Sequence, residues 1–190
     1  MSNGMFCTQC EAEGFRRITY YPDRPDVMAP FDVTIHSDLP YALSNGEPMR
    51  REGTTRRWQD PWPKPAYLFA LVAGEFKVVS DHFTTASGKP VDLNIYVRDG
   101  DQDKCAFALE ALKASMAWDE RVYGREYDLS VFNIVAVDDF NMGAMENKGL
   151  NIFNSSAVLA SPETTVDGNF ERIEAIIAHE YFHNWTGNRI

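Results

Sequence analysis

The run His179-Glu180-Tyr181-Phe182-His183 sets two imidazoles four residues apart with a carboxylate directly after the first. On a helix, positions i and i+4 lie on one face about one turn apart, so both rings can reach a single tetrahedral ion while Glu180 projects beside it as a base. That pattern suits hydrolysis, in which zinc activates water and a side chain handles its proton. The chain has four histidines, so a chance occurrence has odds of roughly one in a few hundred, even before a helix is required. The bland alternative is a buried histidine pair satisfied by hydrogen bonds.

The helix condition is met by the residues upstream. Phe170, Ile173, Ile176 and Ile177 give an apolar face at helical spacing, Asp167 to Asn169 supply capping candidates, and Gly187 is a C-terminal stop. A continuation as His-x-x-Gly-x-x-His would need glycine at 186 and histidine at 189, where Thr186 and Arg189 stand. This excludes the metzincin pattern and leaves the class whose third ligand is a glutamate further along the chain. No third ligand is assignable before Ile190. His36 and His82 stand alone in strand-like or loop-like context and read as surface or partly buried residues.

A second chemical segment precedes the helix. Asn141-Met142-Gly143-Ala144-Met145-Glu146-Asn147 lies between a buried strand predicted at Val131 to Val137 and a short one at Leu150 to Phe153. Gly143 and Ala144 strip the segment of bulk, which weakens a structural strand but lets another backbone pair with its edge. Such an edge could hold an extended peptide. Glu146 puts a carboxylate at one end of it, either solvated or placed to hold a substrate's ammonium group.

The elements that must position these groups fall into two regions. Short β-like runs at Gly14 to Tyr21, Phe31 to Ser37 and Tyr67 to Val79, punctuated by prolines, make the first 75 or so residues mostly sheet. Asp60 to Pro65, with proline at every second position, reads as a polyproline connection. Phe83 to Thr85 and Val91 to Val97 read as a hairpin around Ser87-Gly88-Lys89-Pro90. Asp103 to Tyr123 reads as a long helix capped by Gly124, with Met116 and Trp118 in or near the core. The expected class is α+β, a β-rich N-terminal part at 1–75 followed by a helix-bearing part at 76–190.

Composition narrows the partners. The net charge is -10 and no lysine–arginine cluster interleaves with aromatics, which argues against nucleic acid and anionic membrane. There is no basic stretch followed by an apolar core and no run approaching 18 apolar residues, so neither a secretion signal nor a membrane span is expected. Cys7, Cys10 and Cys105 make an odd number, against a disulfide framework and in favour of a reducing, cytoplasmic setting. One Cys7-x-x-Cys10 pair cannot close a four-ligand zinc site, and its polar surroundings do not suit a redox pair.

Gly143-Ala144-Met145-Glu146-Asn147 followed by the His-Glu-x-x-His helix resembles the zinc aminopeptidases of the aminopeptidase N type. The longer runs Asn141 to Asn154 and His179 to Arg189, with Thr8-Gln9-Cys10-Glu11-Ala12-Glu13-Gly14 upstream, resemble the bacterial branch. The likeness covers essentially the whole chain, yet only a slice of the family's multidomain protein: the end of its N-terminal β domain and the first part of its thermolysin-like catalytic domain. It implies that His179 and His183 ligate one zinc ion, that Glu180 is the general base, and that Glu146, with Glu11, binds the free α-amino group of a peptide substrate. It further implies that Met142, Gly143, Ala144, Met145 and Asn147 line the bound peptide, Met142 at the first side chain. The family's third ligand, a glutamate, and its oxyanion-stabilising tyrosine would lie beyond Ile190 in the rest of the parent chain. The 190-residue piece is then expected to be inactive alone; the alternative is a non-catalytic fragment that binds peptides or partners.

Overall fold

The computed structural model describes residues 4–189; residues 1–3 and 190, the outer ends of the two expected parts, lie outside the described residues. The N-terminal part holds β1 (Phe6–Cys7), β2 (Met28–His36), β3 (Tyr41–Ser44), β4 (Glu47–Pro48), β5 (Thr55–Pro65) and β6 (Leu71–Gly74). They build two antiparallel sheets, ordered β1-β6-β3 and β2-β5-β4. Side chains alternate along β2, with Phe31, Val33 and Ile35 inward and Asp32, Thr34 and His36 exposed, the pattern of a strand with one face covered.

The run expected at Tyr67 to Val79 divides into a 3-10 turn at Ala66–Leu68, β6, and the start of a strand of another sheet at Lys77; two further expectations fail for local reasons. Gly14 to Tyr21 is not a strand but a turn of 3-10 helix at Phe15–Arg17. The Gly14 amide closes a tight turn onto Cys10 O at 2.7 Å, and Asp23 accepts from the Arg16 amide at 3.0 Å. Only Phe15 and Tyr21 are turned inward, to pack edge-on at 5.2 Å between centroids. Asp60 to Pro65 is not a polyproline connection but the second half of β5, paired with β2 across a bulge. The neighbouring β4 pairs only as far as Gln59, so the prolines fall where β5 is an edge on that side and their missing N–H groups break no ladder.

The C-terminal part begins with the expected hairpin, β7 (Lys77–Thr84) and β8 (Pro90–Val97). A 3-10 turn at Gln102–Lys104 leads into α1 (Ala106–Tyr123), which ends where Gly124 takes φ +63° and donates its amide back into the last turn. Then follow β9 (Val131–Val137), β10 (Ala144–Met145), β11 (Leu150–Asn154) and α2 (Asp167–Phe182). Together β7 to β11 form one mixed sheet, ordered β10-β11-β9-β8-β7, with β8, β9 and β11 parallel.

This sheet is covered on both faces. Leu93, Ile95, Ile134 and Phe153 meet Leu112, Met116, Ile173, Ile177 and Tyr181 of the two helices. Tyr96, Val135, Val137 and Ile152 meet Ala42, Leu43, Trp58 and Val72 of the N-terminal part. All seven residues of β9 are buried, which is why its sequence is a nearly continuous apolar run. Trp118, expected in or near the core, instead borders the open groove between α1 and α2, 42% exposed and edge-on to Tyr123. The α+β class with a β-rich N-terminal part is what the structure holds.

Candidate active site

Helix α2 begins at Asp167, so that residue sits in the first turn, where its charge favours the helix dipole, and no side chain caps the end. The last turn delivers the histidine pair. The Nε2 atoms of His179 and His183 face each other at 2.9 Å, with ring centroids 4.5 Å apart and planes nearly perpendicular. His183 Nδ1 lies 2.6 Å from the Thr186 carbonyl. A proton donated there leaves Nε2 with its lone pair free, the arrangement that orients a ligating imidazole. Two imidazole nitrogens bonded to one tetrahedral zinc at 2.0–2.1 Å stand about 3.3 Å apart, so this donor pair fits the ion. Among the described residues, no group of three histidine, cysteine or acidic side chains could hold a metal.

Glu180 projects beside the pair and is only 7% exposed; its Oε2 is buried with no hydrogen-bond partner. Burial first, then the charges of Glu146 and Glu11, push its carboxyl up to about 8. Glu11 is raised by its own partial burial and by Glu146, while His183 pulls it down. Three carboxyls from three separate stretches therefore share one electrostatic neighbourhood, in which each opposes the ionisation of the others until a cation offsets their charge. Tyr67, half-buried and raised by burial, Glu146 and Glu11, stands in the same neighbourhood; nothing in its sequence context singled it out.

The small-residue segment forms the free edge of the mixed sheet. Ala144 and Met145 pair with Phe153 and Ile152 on one side only, and Gly143 O accepts the Asn154 amide at 2.9 Å. A β-carbon on Gly143 would meet only Ile176 of α2, at 3.6 Å, so the edge runs alongside the histidine-bearing helix with room in front of it. Met142, Gly143 and Ala144 are half-buried, whereas Met145 and Asn147 are enclosed. The Asn147 amide is committed to the Leu68 carbonyl at 3.1 Å.

A family model described as the Peptidase M1 N-terminal domain matches residues 1–68, and one described as the Peptidase family M1 domain matches residues 107–190. The chain belongs to peptidase family M1. It is 59% identical to Aminopeptidase N of Caulobacter vibrioides and 56% identical to Aminopeptidase N of Escherichia coli, in each case over 100% of this chain. The crystal structure of Legionella pneumophila aminopeptidase A in complex with aspartic acid superposes with a TM-score of 0.93 at 40% identity, again over 100% of this chain. The chain spans 23% of the length of each of these relatives.

Within this M1 chain the sequence reading missed a set of buried polar groups behind the site. Lys148 and Asn184 are buried and hydrogen-bonded to each other at 2.6 Å, and both reach Asp128, which also takes the Arg189 guanidinium. Asn188 donates to the Glu146 carbonyl at 3.0 Å, and Asn45 donates to the Lys148 carbonyl at 3.0 Å. One signal was available: a lysine two positions before the buried strand Leu150–Asn154 must find a partner.

Proposed function

We propose that this M1 chain carries the metal-binding helix and the amine anchor of an aminopeptidase that removes N-terminal residues from peptides. The observation that carries it is the convergence of two imidazole Nε2 atoms, 2.9 Å apart, beside a buried carboxylate and next to an open strand edge. His179 and His183 hold zinc through Nε2. When bound, zinc polarises the scissile carbonyl and brings the ionisation of water toward neutral pH. Glu180 takes the proton of the attacking water on its carboxylate and returns it to the leaving amine. Glu146, with Glu11 as companion, accepts the hydrogen bonds of the substrate's ammonium group and so selects a chain start. The peptide backbone lies along Gly143 and Ala144, with Met142 at the first side chain. Met145 and Asn147, whose side chains are enclosed, contribute through the main chain.

In this reading residues 1–75 end a β domain and residues 76–190 begin the catalytic domain, and the rest of a longer polypeptide supplies the third ligand. The 190-residue chain alone then binds zinc weakly and does not turn over. No helix among the described residues is long and apolar enough to cross a membrane. The cytoplasmic location we propose rests on three unpaired cysteines.

The test is a graft: this chain replaces the matching segment of the Caulobacter relative, and the zinc-loaded product is given peptides with free or acetylated N-termini. Release of residues from the free peptides alone is expected; equal cleavage of both would sink the aminopeptidase reading. A second reading, a partner-binding fragment, is favoured by the groove of about 770 Å³ between α1 and α2, lined by Trp118, Tyr123 and Phe182. Concentration-dependent self-association of the isolated chain, measured by sedimentation, is its signature.

A further inference from the structure

Lys148 has a side chain with no exposed surface, although it ends in an ammonium group that water would otherwise solvate. Its Nζ lies 2.7 Å from Asp128 Oδ1 and 2.6 Å from Asn184 Oδ1, and Asn184 Nδ2 closes the triangle to Asp128 Oδ1 at 3.3 Å. The second Asp128 oxygen takes Arg189, which stacks on Trp62 at 3.7 Å. A buried ion pair is a poor route to stability, because the desolvation of both charges offsets their attraction, and an apolar side chain would fill the same space. What the triangle supplies instead is direction. An ammonium presents three donors at fixed angles, so the oxygens around it are held in place as no methyl group could hold them.

The three corners come from different places. Asp128 stands between α1 and β9, Lys148 is two residues beyond Glu146, and Asn184 directly follows His183. The Lys148–Asn184 hydrogen bond is thus a direct side-chain link between the amine-binding segment and the end of the metal-binding helix. Asn188 adds a second link, to the carbonyl of Glu146 itself. From the opposite side, Asn45 and Asn147 fasten the same segment to the N-terminal part.

We propose that Lys148 is a positioning residue: held by Asp128 and Asn184, it fixes where the amine anchor Glu146 stands relative to the histidine pair. A substrate held by its ammonium has its scissile bond set at a fixed reach from that anchor, so an error in the anchor's place moves the bond off the reacting groups. The proposal rests on the amine-anchor reading above, and it concerns geometry behind the site rather than contact with substrate.

The grafted, zinc-loaded enzyme tests it with two substrates, an aminoacyl anilide and the same anilide lacking the α-amino group. Lys148→Met, with zinc content unchanged, is expected to lower kcat/KM on the amine-bearing substrate by on the order of 100-fold, mostly in kcat, and to change the slow hydrolysis of the des-amino analogue by less than about threefold. The double variant Lys148→Met, Asn184→Leu removes the ammonium together with the neutral oxygen it held and leaves Asp128 paired with Arg189; it is expected to regain the melting temperature but not the preference for the amine. Equal losses on both substrates, or a preserved preference in either variant, would assign Lys148 to packing alone. An unmodified graft that binds zinc yet shows no preference for the free amine would overturn the amine-anchor reading, and this proposal with it.

Discussion

A β-carbon built on Gly187 would lie 2.9 Å from Nδ1 of His183. The backbone there has φ +128°, a conformation that side-chain-bearing residues rarely adopt. Gly187 therefore does more than end a helix: it leaves room for the imidazole whose Nδ1 bonds the Thr186 carbonyl. Gly187→Ala is expected to rotate the ring off that carbonyl and weaken zinc binding by about 10- to 100-fold, the range found for loss of a ligand's outer hydrogen bond. Calorimetric zinc titration of the two proteins, beside a His179→Ala, His183→Ala double variant as the blank, measures this. Unchanged affinity would mean the ring is held by other contacts.

The N-terminal part carries its own buried ion pair. Asp60 and Lys64 have fully buried side chains 2.9 Å apart, and the Lys64 ammonium sits 4.1 Å over the Phe31 ring. Burial pulls the lysine below its ordinary range while Asp60 pulls it back up. Lys64→Met strands the aspartate in the core and is expected to destabilise the chain by about 3–5 kcal/mol, whereas adding Asp60→Asn recovers most of that loss. Urea unfolding of the wild type, the single and the double variant decides it. A double variant as unstable as the single would assign the cost to packing and not to charge.

Cys7, Cys10 and Cys105 each have a thiol pushed up to about 11, in every case chiefly by burial. An unfolded chain would ionise these thiols near 8.5. Because the folded form holds the protons more tightly, the thiols contribute stability that is fully present below about pH 8.5 and lost as pH rises through 11. The melting temperature is expected to fall over that window, and Cys105→Ala to make the fall shallower. Alkylation of the native chain at pH 8 should also be slow and speed up on unfolding. Rapid alkylation at neutral pH, or cycling of Cys7 and Cys10 between free and bonded states, would restore the redox alternative.

The sequence made the placement of the candidate site's elements legible wherever the signal was local. The histidine spacing, the apolar face of α2, the seven buried residues of β9 and the small pair Gly143-Ala144 each state their role within a few neighbours. The long-range partners were not legible. Asn45 reaches Lys148 across 103 positions and Trp62 meets Arg189 from the far end of β5, and no periodicity encodes such pairs. The proline-rich half of β5 misled because proline usually argues against a strand, a rule that relaxes once one side of the strand has no partner. Phe15 to Tyr21 misled in the opposite sense: β-favouring side chains lie on a backbone already committed to a turn by Gly14, where a β-carbon would meet Gln9 O at 2.8 Å.

In the proposed function Glu180 separates binding from chemistry. Its Oε2 is buried without a protein partner, and burial, followed by the charges of Glu146 and Glu11, raises its carboxyl to about 8. Glutamine at this position keeps the shape and hydrogen-bonding reach but cannot accept and carry a proton. In the zinc-loaded graft, Glu180→Gln is expected to retain one zinc and an almost unchanged KM while kcat falls by roughly 10²- to 10⁴-fold. Glu146→Gln is the contrasting case, because in the proposed function it removes a charge-assisted bond to the substrate's amine: KM should rise and kcat/KM fall by about 10- to 100-fold, the worth of one such bond. Steady-state kinetics with metal analysis distinguishes the two patterns. If Glu180→Gln instead raised KM with kcat intact, the proton-carrying role would pass to another group, and Glu180 would belong with the carboxylates that hold the amine.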